Sequence, residues 1–221
     1  MTDYRLEESK QLYEEFLGLI NRYISLERWG FVQTYSLVVI DVSPNIVYDS
    51  ECCRVRFSYE PRDHGNYQER IASVWYGRLH ATNDDSFINL KGKKAKSWHG
   101  IWNALDFLDS LSPQDVVDRL DKGIVGPRLI REFQKTYPSW ELWGDPRTVY
   151  AIKDLRMHNE IWEHYGQKLF DIFDLRNPEL WEKYVQFHNE IKRLRHEAWK
   201  AKEKFGKPFK QFDDFVPDEL W

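Results

Sequence analysis

Apolar positions change period twice along this chain, from helical to strand-like and back to helical. Between residues 4 and 27, Leu6, Tyr13, Phe16, Leu17, Ile20, Tyr23 and Ile24 lie mostly three or four apart, with charged residues between them. That spacing predicts an amphipathic helix. The segment Phe31 to Val42 contains a continuous apolar run, Leu37-Val38-Val39-Ile40, the pattern of a buried strand, and Pro44-Asn45 marks a turn. Cys53, Val55, Phe57 and Tyr59 then alternate with Arg54, Arg56 and Ser58, and the same two-residue period runs from Ile71 to Leu79. Asn83-Asp84-Asp85 reads as a turn and Phe87 to Leu90 as a short fourth strand. Short consecutive strands with tight turns predict a four-stranded antiparallel meander.

The helical period returns after a lysine-rich stretch. Trp98, Ile101, Trp102, Leu105, Leu108 and Leu111 form one stripe. Ser112-Pro113-Gln114-Asp115 has the form of a helix start, with a capping serine and proline at the first helical position. Two longer patterns follow. Asp145-Pro146 opens an arm carrying Ala151, Leu155, His158, Trp162, Tyr165, Leu169 and Ile172. Asn177-Pro178 opens another, with Leu180, Tyr184, Phe187, Ile191, Leu194, Ala198, Ala201 and Phe205, ended by Gly206 and Pro208. The expected fold is α+β: an N-terminal helix, the meander, following helices and a long C-terminal helical hairpin whose arms pack on each other. The expected organisation is an α+β domain over 1–125, an ordered aromatic connector over 126–144, the hairpin over 145–210 and an acidic-aromatic tail over 211–221.

Composition narrows the setting. The 32 Lys+Arg and 36 Asp+Glu leave a net charge of −4, which argues against nucleic acid binding over the whole surface. Cys52 and Cys53 are the only cysteines, and neighbours on a strand point to opposite faces, so a bond between them is strained. With no disulfide framework, a reducing and cytoplasmic compartment is expected. No apolar run approaches the roughly 20 residues that cross a bilayer, and a soluble protein without membrane contact is expected.

The chemistry-bearing patterns are three. His158-Asn159-Glu160-Ile161 recurs as His188-Asn189-Glu190-Ile191. His158, His188, Glu160 and Glu190 are thus metal-ligand types, but His and Glu two apart sit about 200° around a helix, so no metal and no cofactor is expected. Basic residues cluster at Lys91, Lys93, Lys94 and Lys96, and again at Lys192, Arg193, Arg195, Lys200 and Lys204, with Trp98 and Trp199 nearby. These suit nucleic acid or an acidic partner. Phe212, Phe215, Leu220 and Trp221 alternate with carboxylates in the tail, a pattern that suits protein docking. No nucleophile motif or phosphate loop is present, and no catalytic residue is assigned. These observations favour a non-catalytic interaction or adaptor protein, a subunit or accessory factor of a larger complex, with another protein as partner. A nucleic-acid-associated binding subunit is the alternative, and an enzyme or metal-binding protein with a non-local site is the second alternative.

Overall fold

A computed structural model describes residues 2–37, 44–61, 69–79, 98–136 and 147–204. The chain opens with α1 (Thr2–Tyr23) and a 3-10 turn at Glu27–Trp29. The sheet follows as β1 (Val32–Leu37), β2 (Asn45–Asp49), β3 (Cys53–Pro61) and β4 (Arg70–Arg78), antiparallel in sequential order. Helices complete it: α2 (Trp102–Leu108), α3 (Pro113–Asp121), α4 (Arg128–Thr136), α5 (Val149–Tyr165), α6 (Gln167–Asp171) and α7 (Pro178–Lys204). The fold is α+β, as the periods predict. The second strand differs from expectation: Asn45–Asp49 follows the Pro44 turn signal directly, and the segment expected to form the last strand, Phe87 to Leu90, lies outside the described residues.

Alternation gives the sheet two unlike faces. Cys53, Val55, Phe57 and Tyr59 of β3, Ile46 and Tyr48 of β2, and Ala72, Val74 and Tyr76 of β4 are buried on the core face. α5 lies against β4, and α1 lies against α5. Phe16 of α1 stacks on Tyr59 at 4.6 Å between ring centres, while Trp162 of α5 packs on Phe31, Phe57 and Phe170. The segment that follows α1 is also joined to α5, by Ser25 N–H donating to Asn159 Oδ1 (3.1 Å) and by the Arg28–Glu163 ion pair. One buried cluster contains residues from α1, every strand after β1, and α2, α4, α5, α6 and α7.

The first expected hairpin arm breaks at Gly166. Its φ of +53° is a left-handed conformation that suits glycine, and a β-carbon there lies 3.2 Å from the Trp29 ring. Helix α5 therefore ends at Tyr165, and Leu169 and Ile172 follow on and after the separate α6. The second arm keeps its span, but its apolar seam meets a different partner. Phe187 and Ile191 of α7 pack with Val116 and Val117 of α3, not along α5. The seam needed a surface, and the closer one is the short helix that Ser112 caps. That cap is a full box: Ser112 Oγ accepts from Asp115 N–H (3.1 Å), and the Asp115 carboxylate accepts from Ser112 N–H (3.1 Å). Beneath α3, Arg119 forms a two-pronged pair (2.6 and 2.8 Å) with Asp106, which is fully buried.

Ile191, 1% exposed, is the centre of the α3–α7 contact. Ile191→Asp buries an unpaired carboxylate there and is expected to destabilise the protein by several kcal/mol. A urea unfolding curve measures this, and an unchanged midpoint contradicts the packing.

Candidate interaction face of the sheet

The outer face of the sheet is built by the residues that alternate with the core. Register places Arg54 opposite Asp49 and Gly77, Arg56 opposite Val47 and Trp75, and Ser58 opposite Asn45 and Ser73. Directly opposed residues share a face. Arg54 donates two hydrogen bonds to Asp49 (2.7 and 2.9 Å), and Ser58 Oγ bonds Asn45 Oδ1 at 2.6 Å. Arg56 stands at the middle with its guanidinium 5.8 Å from the Trp75 ring and 4.8 Å from the Trp98 ring. Burial lowers its pKa, with Glu60 opposing, and its Nε makes no hydrogen bond. Rings hold this cation where a carboxylate commonly does.

Edge strand β1 extends that face. Its pairing with β2 slips between Gln33 and Tyr35, so Val32 faces Asp49 and Tyr35 faces Val47. A bulge at Thr34 thus turns Tyr35 to the side that Val32 shares. Both are exposed, Val32 at 68% and Tyr35 at 55%. Gln33, on the opposite side, donates to the Tyr13 hydroxyl of α1 at 3.0 Å. The outer face therefore offers two bare apolar groups beside an arginine framed by two indoles. The alternation of β3 made the polar face legible in the sequence, although Ser58 and Val47, which faces Arg56, are buried there. The register slip that adds Tyr35 to Val32 had no sequence signal.

The repeated tetrapeptide does not form a joint site. His158 is buried, with Nδ1 3.1 Å from the Tyr76 hydroxyl, which in turn accepts the Trp162 indole N–H at 2.7 Å. His188 is half-buried, with Nδ1 2.7 Å from Asn103 Nδ2 of α2. A chain of ring contacts runs from His158 through Tyr76, Phe173 and His99 to His188. Glu160 is exposed, and Glu190 is paired with Arg193. Among the described residues, the three donors close enough to share an ion are instead Cys52, Asp171 and Asp174, with ligand atoms within 4.8 Å of one another. Their capacity is met internally. Arg176 donates to both Asp174 oxygens and approaches Cys52 Sγ at 3.4 Å, and Gln167 donates to Cys52 Sγ and Asp171 Oδ1, each at 2.9 Å. Burial pushes both cysteine thiols up, which keeps them protonated and unreactive.

The basic candidates separate. Arg193 is held by Glu190 (2.6 Å) and Glu197 (2.5 Å), whereas Lys192 and Arg195 are half-buried beside His188. Lys200 is exposed. Lys91, Lys93, Lys94 and Lys96, the side chain of Lys204, and Phe212, Phe215, Leu220 and Trp221 lie outside the described residues. Lys96 nonetheless stands two positions before Trp98, which touches Arg56. No helix among the described residues is long and apolar enough to cross a membrane. Compared with known proteins, the chain matches no family model, no curated protein and no solved structure.

The buried histidines set a pH dependence. Burial lowers the His158 pKa to about 3, and burial with Lys192 and Arg195 does the same for His188. The unfolded chain takes up these protons near pH 6.5 while the folded protein does not. Their contribution is therefore complete above pH 6.5 and is lost as pH falls towards 3. For His158 the loss is about 2 kcal/mol at pH 5. Half-buried Asp154, raised to about 7 by burial, titrates with the opposite sign, so the histidine effect is read as a difference. His158→Gln should flatten the acid limb of stability between pH 6.5 and 4, measured by denaturant unfolding at each pH; parallel limbs for the two proteins contradict it.

Proposed function

We propose that this chain is a non-catalytic interaction protein, an adaptor or accessory subunit, that docks a partner protein on the outer face of its sheet. The exposure of Val32 and Tyr35 on the face that holds Arg56 between Trp75 and Trp98 carries this reading. Tyrosine, tryptophan and arginine are the residues that concentrate binding energy at protein interfaces, because each removes a large area from water at small entropic cost. An edge strand with two bare apolar side chains otherwise costs solubility, and the bulge that turns both outward makes them one patch. Buried His158 and half-buried His188 are neutral and bonded and the thiols are protonated, so these groups read as parts of the core. Reduced, buried cysteines suit a cytoplasmic setting.

The nucleic acid reading draws on the tether of the lysine stretch to Trp98. It is weakened on α7, where Arg193 is neutralised by two carboxylates. Copurification distinguishes the readings. The native protein should carry a stoichiometric protein partner. Val32→Asp with Tyr35→Ala should remove that partner while leaving the melting temperature close to that of the parent, since both side chains are exposed. Equal recovery of the partner by the double variant, or a nuclease-sensitive absorbance in place of a protein, argues against the proposal.

A further inference from the structure

The two outer-face arginines of β3 are met in different ways. Arg54 gives a two-pronged hydrogen bond to Asp49. Arg56, two positions on, forms no hydrogen bond or ion pair among the described residues, and its Nε is buried without an acceptor. Its contacts are the rings of Trp75 and Trp98. A guanidinium set over rings uses its flat faces there, while its five N–H donors lie in the plane and still call for acceptors. Glu60, four positions along the same strand, favours the charged form without pairing with it, and burial opposes that charge. The strand thus carries a partly desolvated cation that rings frame and no acceptor answers.

Register places this cation in a row. Tyr35, Val47, Arg56 and Trp75 stand opposite one another across the four strands. Tyr35 and Arg56 are two strand spacings apart, roughly 10 Å, and Val47 between them is buried. The row therefore runs from an exposed phenol ring over an apolar floor to the guanidinium. Val32 shares the exposed end with Tyr35.

We propose that Arg56 is a receptor for one aspartate or glutamate side chain in an extended segment of the partner, with an apolar residue about three positions away packing on Tyr35 and Val32. This rests on the docking of a partner at the outer face and names what that face selects. A carboxylate bridges two N–H groups of one guanidinium, which fixes its direction as well as its charge. The indoles keep the slot low in water, where such a bond counts for more. A partner with a lysine or an apolar residue at that point leaves the cation repelled or unpaired, so the slot discriminates as well as binds.

The probe is a short peptide, Ac-Phe-Ala-Ala-Glu-Ala-amide, and its twin with Gln in place of Glu. In proton–nitrogen correlation spectra of the full chain, the Arg56 Nε–H signal is the arginine side-chain signal lost in R56M. The Glu peptide should shift that signal saturably within about 5 mM, and the Gln peptide should bind at least about tenfold more weakly. R56K keeps the charge without the fork and should also weaken the Glu peptide by about tenfold. A purely structural arginine has a different signature, since R56M would then lower the urea midpoint. Here that midpoint should be unchanged or higher, because no ion pair is lost. Equal shifts by the two peptides, no shift by either, or a clearly lower R56M midpoint overturns the inference. The docking of the partner is tested separately. Recovery of the copurified partner by R56M but not by the Val32→Asp, Tyr35→Ala variant overturns the carboxylate slot alone, and recovery by both overturns the docking face with it.

Discussion

The main core of this fold is arranged around keeping one indole dry and bonded. Trp162 is fully buried between α5 and the sheet, within ring contact of Phe31, Phe57 and Phe170. Those neighbours come from the approach to β1, from β3 and from α6, so a single side chain fixes three segments relative to α5. An indole N–H without an acceptor in such a place costs about 1–3 kcal/mol, a sizeable part of a fold's margin. Tyr76 of β4 supplies the acceptor, and its hydroxyl reaches on to His158. The polar chain Trp162–Tyr76–His158 is thus a condition of the aromatic core and not a site within it.

This explains what was legible in the sequence. Regular periods identified α1, β3, β4 and the span of α7, and Ser112-Pro113 identified the start of α3, because each of these depends on residues close together in the chain. The pairing of α7 did not follow from its period. A seam of Phe187, Ile191 and Leu194 states that a partner exists but not which one, and α3 was the short helix that happened to lie beneath it. Strand β2 was hidden by its shortness: five residues follow Pro44 directly, and the turn signal overlapped the strand itself. The break at Gly166 was written as a glycine, yet its force comes from Trp29, more than a hundred residues earlier.

The interaction face shows the same limit in sharper form. Two-residue alternation groups Val32 with Thr34, and only the slipped register joins Val32 to Tyr35. The repeated His-Asn-Glu-Ile segment had the converse fate. A visible pattern resolved into two unrelated settings, because Tyr76 meets His158 while Asn103 meets His188. Identity of sequence does not carry identity of environment when the two helices pack on different elements.

The joint that α1 and the turn after it make with α5 has a consequence for how the chain is made. Ser25 bonds Asn159 and Arg28 pairs with Glu163 across separations of 134 and 135 residues. At the rates of ribosomal synthesis, roughly 5–20 residues per second, the first helix emerges on the order of ten seconds before its partner exists. During that interval the nascent meander is the first surface available to cover Phe16 and Ile20, through contacts such as Phe16 on Tyr59. The sheet therefore serves first as a temporary shelter for α1, and the arrival of α5 closes a chain that has already waited, half-built, for most of its own translation.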